Sequence, residues 1–421
     1  MKPKGGKTAL VLAGGGLTGV VYEIGALRAI DDLLVDRTVN DFDIYVGTSA
    51  GSLVAAGLAN GLSPEEMLQS FEGGHPEIRA VEPGTVFQFN TREFLRRSLR
   101  LPRTLWGAGS HYVRHLDDMT LFDLIWSLSE ALPSGLYDGQ ALEQYVRQVL
   151  SGPGRSNRFP ELAARLRIIA TDLDTGERAV FGQDALRDVP ISQAVAASSA
   201  VPLLYKPVRV GDHDYLDGGL RGTASLDLAI EQGATLVLCI NPLVPYDNSE
   251  RDCIPFLGPD GGYLSQKGVP AIASQVTRIT MHAGLHYHVK QLHRQHPEVD
   301  VILIEPQPSD YQMFFWNIMR YSTRLTVARH GFESVTLDLA EDYAHYKQVL
   351  ARHGVPISRR LVIAEMAEIE ASGHDPEVIR RVLEARPTSC NRRKRGSPTC
   401  QLTRALAELE LTLDLMSSNA S

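Results

Sequence analysis

The sequence predicts an α/β protein, and three observations carry that expectation. Residues 8–13 and 44–46 are short apolar strand formers, and each runs straight into a glycine-punctuated turn and then a helical pattern. Further short apolar strands recur at 167–171, 178–181, 235–240 and 300–305, with helical stretches between them. The 421 residues suffice for one large α/β domain or two smaller ones.

Composition narrows the function classes. Apolar content of 43% with 22% charged residues is that of an ordinary soluble globular protein. A net charge of −8 argues against a general nucleic-acid binder and gives no overall attraction to anionic membrane. No run approaches the ~20 apolar residues of a transmembrane helix. The apolar run 9–13 leads into glycines rather than a cleavage site, so no signal peptide is expected. Cys239, Cys253, Cys390 and Cys400 lack metal or disulfide-framework spacing, which suits a reducing, cytoplasmic interior.

The first strand enters Gly14-Gly15-Gly16-Leu17-Thr18-Gly19, and Val20, Ile24, Leu27, Ile30 and Leu34 then recur at helical spacing. Such a loop presents backbone N–H groups to an anion. One candidate is a dinucleotide pyrophosphate, since Gly14, Gly16 and Gly19 fit the Rossmann fingerprint, which also requires an acidic residue ending the second strand. The second strand ends instead in Gly47-Thr48-Ser49-Ala50-Gly51, which favours the other candidate, the oxyanion of an acyl intermediate. Strand, sharp turn with Ser at its tip, and helix make a nucleophile elbow. Gly47 and Gly51 let strand and helix pass closely, and Ser49 lies near a helix N-terminus that favours negative charge. The plain alternative is a small-residue turn with an incidental serine.

Ser63-Pro64-Glu65-Glu66 is a capped helix start. From there to 135 helical pieces alternate with Gly/Pro breaks. Phe87, Phe89, Phe94, Leu95, Leu99, Leu101, Leu105 and Trp106 are interleaved with Arg92, Arg96, Arg97, Arg100 and Arg103. This reads as a helical insertion with solvated arginines, a cap over acyl chains being the functional alternative. Asp172 and Asp174, before Gly176, read as turn chemistry rather than a carboxylate pair. A small-residue helix at 191–199 precedes Asp217-Gly218-Gly219. A helix near 270–295 carries His282, His286, His288 and His293. His282 and His286 share a face as metal ligands can, but that segment offers no acidic partner, so a polar face and no metal are expected. The aromatic run 311–321 reads as a packing helix. The tail from about 331 is helical, with a basic linker at Arg392-Arg393-Lys394-Arg395 and a stripe of Leu402, Leu406, Leu409 and Leu413.

With the Gly14–Gly19 loop, the Gly47–Gly51 elbow, Ala197-Ser198-Ser199-Ala200-Val201-Pro202 and Asp217-Gly218-Gly219 in that order, the chain resembles the patatin-like phospholipases. The resemblance implies a three-layer α/β fold with a central, mostly parallel sheet. It implies a catalytic domain over 7–306, with 62–135 as insertion or cap and 307–421 as a helical extension. It also implies a lipid acyl hydrolase in which Ser49 is the nucleophile, Asp217 its general base, and Gly14, Gly15 and Gly16 the oxyanion hole. Gly218 and Gly219 complete the Asp-Gly-Gly motif. No cofactor, metal or nucleic acid is implied; the partner is a lipid ester, with peripheral membrane contact compatible with it. Thr18 stands where that family often carries Arg or Lys, which removes a cation and keeps the backbone donors. A Ser–His–Asp triad using a histidine after Asp217 is the other enzymatic reading, and a catalytically silent lipid-binding protein of the same fold is the non-enzymatic one.

Overall fold

The apolar runs become the inner strands of one sheet because both of their faces are covered. The computed structural model describes residues 6–97, 99, 132–249, 262–309, 313–314 and 321–384. Its strands are β1 (Lys7–Leu12), β2 (Ile44–Thr48), β3 (Gly135–Tyr137), β4 (Arg165–Asp172), β5 (Arg178–Phe181), β6 (Leu203–Tyr205), β7 (Val208–Val210), β8 (His213–Asp217), β9 (Ala234–Ile240) and β10 (Asp300–Ile304). The main sheet has the order β10-β9-β1-β2-β4-β8-β7, with β5 also on β4, while β3 and β6 pair separately. From β10 to β4 the pairing is parallel; β5 and β8 run antiparallel to β4, and β7 runs antiparallel to β8. This is an α/β fold with a central, mostly parallel sheet, as the sequence predicts.

Side chains alternate across the parallel strands, which sorts the core into two layers. Leu10, Leu12, Tyr45 and Ile168 join the cluster built on helices α1 (Gly16–Leu33) and α2 (Ala50–Ala59). Ala9, Val11, Ile44, Val46 and Ile169 join the opposite cluster, with Leu226 and Leu228 from the helix Leu226–Glu231. The parallel order also fixes which loops share a rim. The loops leaving β1 and β2 emerge side by side, at the strand ends where α/β sheets bind ligands. β8 enters antiparallel and stops with Asp217 opposite Ala170 of β4, whose preceding residue Ile169 lies opposite Thr48. That register brings Asp217 level with the residue after Thr48.

Helix α3 (Pro64–Glu72) has the predicted cap: Ser63 Oγ accepts from Glu66 N, Glu66 Oε2 accepts from Ser63 N, and Gly73 closes the helix at φ 77°. Around the rim lie α4 (Gln140–Leu150), α5 (Ile191–Ser198) and the long α6 (Val269–Gln295). Beyond the sheet come α7 (Tyr321–Glu341), α8 (Arg360–Ala371) and α9 (Pro376–Glu384). Residues 100–131, most of the aromatic run 311–321, the basic linker and the Leu402–Leu413 stripe lie outside the described residues. Among the described residues no helix is long and apolar enough to cross a membrane.

α7 packs along α1 at backbone distance. A Cβ on Gly25 would fall 1.8 Å from the Ala328 carbonyl oxygen, and one on Gly331 would fall 2.2 Å from that of Tyr22. Arg28, 1% exposed, ties α3, α8 and α9 to α1. It forms ion pairs with Asp32, with Glu65 of α3 at 3.3 Å and with Glu365 of α8 at 3.2 Å, and donates to the Val382 carbonyl of α9 at 3.3 Å. Removing one partner of such a buried network strands the others. Arg28→Ala is therefore expected to destabilise the fold by about 3–5 kcal/mol, measured as a fall in the urea midpoint, with Arg28→Lys intermediate because it keeps one charge and loses the planar fork.

Candidate active site

Ser49 occupies a backbone conformation that serine avoids, with φ 53° and ψ −119°. The chain has little choice. A Cβ on Gly47 would lie 2.5 Å from the Gly51 carbonyl oxygen, and one on Gly51 would lie 2.3 Å from that of Leu12. Strand and helix therefore cross in contact, and the residue between them takes up the bend. Hydrogen bonds hold it there. The Ser49 amide donates to Ser198 Oγ at 2.8 Å, and Ser198 Oγ donates to the Ile169 carbonyl at 2.5 Å. The Ser49 carbonyl accepts from Ser52 N at 2.9 Å and Ser52 Oγ at 2.6 Å.

The serine hydroxyl, directed out of this turn, donates to Asp217 Oδ2 at 2.5 Å. The other carboxylate oxygen, Oδ1, accepts from the Gly219 amide at 2.8 Å. Asp217 is itself anchored through its backbone: its N–H donates to Ala200 O at 3.0 Å, and its carbonyl accepts from Thr171 Oγ1 at 3.0 Å. Gly218 follows because a Cβ there would lie 2.3 Å from the Ile169 carbonyl oxygen. Burial pushes the Asp217 carboxyl up to about 6, opposed by the hydrogen bonds from Ser49 and Gly219. A carboxylate poised there is ionised at neutral pH, with more proton affinity than a free aspartate.

The glycine loop lies against the same serine. A Cβ on Gly14 would be 3.4 Å from Ser49 Cβ, and Gly16, at φ 60°, is the first residue of α1. The Gly14 amide donates to the Thr223 carbonyl at 3.2 Å. Gly15 is pressed against Pro242, whose Cγ a Cβ would approach to 2.4 Å. All the predicted site residues, Gly14–Gly16, Gly47, Ser49, Gly51 and Asp217–Gly219, thus converge on one rim.

Other expectations fall elsewhere. Asp172 Oδ1 accepts from the amides of Asp174 and Thr175, the turn chemistry expected, and its Oδ2 pairs with His213 at 2.7 Å. After Asp217, His282 and His286 face Glu305 and His353 faces Asp300, so their acidic partners are not Asp217. Ser198 had no role assigned from the sequence. A hydroxyl in a run of small residues looks like packing until the elbow amide is seen to need an acceptor.

A family model described as patatin-like phospholipase matches residues 10–230. The probable lipid hydrolase of Invertebrate iridescent virus 6 is 22% identical over 231 residues, 55% of this chain and 66% of that protein. The intracellular phospholipase A2 of Caenorhabditis elegans is 45% identical over 227 residues, 52% of this chain and 16% of that protein. Among solved structures, VipD from Legionella pneumophila is 15% identical with a TM-score of 0.37, covering 80% of this chain and 67% of that one. The chain spans less than two thirds of the length of either sequence relative.

The buried carboxylate has a stability signature. With its pKa raised from 3.8 to about 6, Asp217 favours the folded state below pH 4 and loses that contribution as pH rises through 6. At pH 8 the charge costs roughly 3 kcal/mol. Asp217→Asn, which keeps an acceptor for Gly219, is expected to melt a few degrees above the wild type at pH 8 and level with it at pH 4, by thermal denaturation monitored at both values.

Proposed function

The chain belongs to the patatin-like phospholipase family, and on that premise we propose that it hydrolyses carboxylic esters of lipids through a Ser49–Asp217 dyad. The observation that carries this reading is the direct 2.5 Å hydrogen bond from the Ser49 hydroxyl to a buried carboxylate. Serine is a weak nucleophile until a base within hydrogen-bond reach takes its proton. Asp217 accepts that proton as Ser49 Oγ attacks the ester carbonyl, then returns it to the leaving alcohol oxygen. Water repeats the sequence on the acyl-enzyme: Asp217 takes its proton, the acid departs, and the proton goes back to Ser49. The carbonyl oxygen becomes an oxyanion in both halves. We assign its stabilisation to the amides of Gly15 and Gly16 at the α1 N-terminus, with Gly14, whose amide already serves Thr223, setting the loop against Ser49. Each such donor is worth ~10²–10³ in rate.

The substrate reading rests on apolar surface. A partly open apolar cavity of about 50 Å³ is lined by Val20, Ile24, Leu53, Val54, Phe71 and Tyr145, and Leu53 is one helical turn from Ser49. We place the acyl chain there. Leu220, next to Gly219, and Leu203, at φ 68°, are 52% and 83% exposed, which suits a rim that meets a lipid surface peripherally. In this reading 7–306 is the catalytic domain, 62–135 a cap and 307–421 an extension that shapes lipid access.

Ser49→Ala is expected to fold, to lose hydrolysis of a medium-chain nitrophenyl ester, and to escape labelling by a fluorophosphonate that labels the wild type; labelling of wild type at another serine would end the reading. The kcat/KM of the wild type should rise with pH through an apparent pKa of about 6, as Asp217 becomes the free base. Asp217→Asn should lose orders of magnitude, whereas His213→Gln and His288→Gln change activity no more than a few fold; a histidine variant as inactive as Ser49→Ala would establish a triad instead.

Leu53→Trp, which fills the cavity, should reduce kcat/KM for long-chain esters at least tenfold more than for acetate esters. Equal loss on both would place the acyl chain elsewhere.

A further inference from the structure

Outside the Ser49–Asp217 pair the structure gathers a second set of chemistry-bearing side chains. His282 and His286 lie one turn apart on α6, with ring centroids 4.1 Å from each other. Glu305, which follows the last residue of β10, meets both: its Oε2 is 2.9 Å from His286 Nε2 and 3.5 Å from His282 Nε2. The acidic partner missing from the helix segment is thus supplied by the sheet. We infer that His282, His286 and Glu305 form a binding site for a divalent transition-metal ion of the zinc type.

Four observations support this. One donor atom from each residue lies within 4.8 Å of those of the other two. Ligand atoms around a tetrahedral zinc, each at about 2.0–2.2 Å from the ion, stand roughly 3.3–3.6 Å apart, so both measured gaps to Glu305 lie within a few tenths of an ångström of a coordination shell. The carboxylate is already oriented. Asn241 Nδ2 donates to Glu305 Oε1 at 2.6 Å, leaving Oε2 toward the imidazoles, as outer-shell partners of metal-ligating carboxylates do. The group is half-buried, with side-chain exposures of 25% for His282, 43% for His286 and 18% for Glu305. An ion can therefore enter, and three protein ligands leave a fourth position for water. Two imidazoles and one carboxylate suit Zn²⁺ or Co²⁺, whereas Ca²⁺ takes six to eight oxygens.

The site also has a place in the architecture. Asn241 is followed by Pro242, whose ring packs on Gly15 and Gly19 of the glycine loop. Met281, adjacent to His282, accepts through its carbonyl from Thr223 Oγ1 at 3.1 Å, and the Thr223 carbonyl accepts from the Gly14 amide. An ion here would fasten α6 to the ends of β9 and β10 and brace the glycine loop from two sides. Binding is independent of hydrolysis, so failure of either inference leaves the other standing.

The test is metal titration of the full chain after treatment with a chelator. The wild type should take up one Zn²⁺ in competition with a chromophoric chelator, and Co²⁺ in its place should give the intense visible bands of a tetrahedral ion; excess Ca²⁺ should displace neither. Asn241→Ala should weaken Zn²⁺ binding about 10–100-fold, and His286→Ala and Glu305→Gln at least as much. His288→Gln, whose imidazole faces Asp227 at 4.0 Å, should bind as the wild type does. Zn²⁺ should raise the melting temperature of the wild type and not that of Glu305→Gln, a variant that preserves volume. Wild-type affinity retained in both His286→Ala and Glu305→Gln, or no Zn²⁺ uptake by the wild type at micromolar concentrations, would overturn the site and leave His286 hydrogen-bonded to Glu305 with His282 beside them.

Discussion

Three backbone crossings without Cβ atoms set the geometry on which the rest of the site depends. Gly47 against Gly51, Gly51 against Leu12, and Gly218 against Ile169 leave less room than any side chain needs. Because those chains touch, the turn between β2 and α2 has one residue in which to reverse, and Ser49 takes a positive φ to do it. A conformation costing of order 1–3 kcal/mol persists only where its surroundings over-determine it. Here Ser198, Ser52 and the Asp217 carboxylate each fix a different atom of the same residue. The strain and the aim of the hydroxyl have one cause.

The protein buries carboxylates in contrasting ways. Around Arg28, Asp32, Glu65 and Glu365 share a guanidinium, and these ion pairs join three helices, with a hydrogen bond to the Val382 carbonyl adding a fourth. Glu23, on the same helix and fully buried, has no hydrogen-bond partner among the described residues, and burial drives it toward the neutral form. Asp217 lies between these limits. It has two hydrogen-bond donors and, among the described residues, no ion pair, so it keeps more proton affinity than a free aspartate. A cation beside it would lower its proton affinity and, with it, its value to a serine hydroxyl.

The elements that position the chemistry were legible because each announces itself locally. The ends of β1 and β2, the capped start of α3 and the Asp-Gly-Gly after β8 are written in consecutive residues, and the elements form within a residue or two of where they are expected. What the sequence hid is long-range. Gly25 and Gly331 sit inside helices, where glycine signals weakness until the opposing backbone is known. Arg28, Asp32 and Glu65 carry charges that a helical pattern assigns to the surface. Glu305 reaches His282 and His286 from a strand rather than along their helix. The antiparallel entry of β8, which brings Asp217 level with Ser49, depends on its pairing with the far end of β4.

The crossing of α1 and α7 bears on modularity. The segment matched by the family model ends at residue 230, yet β9, the neighbour of β1, and α7, in backbone contact with α1, both come later in the chain. A fragment cut at that boundary would expose one edge of β1 and the glycine-lined flank of the helix that begins at the glycine loop. Sequence similarity therefore delimits an inherited set of motifs, not an autonomous folding unit.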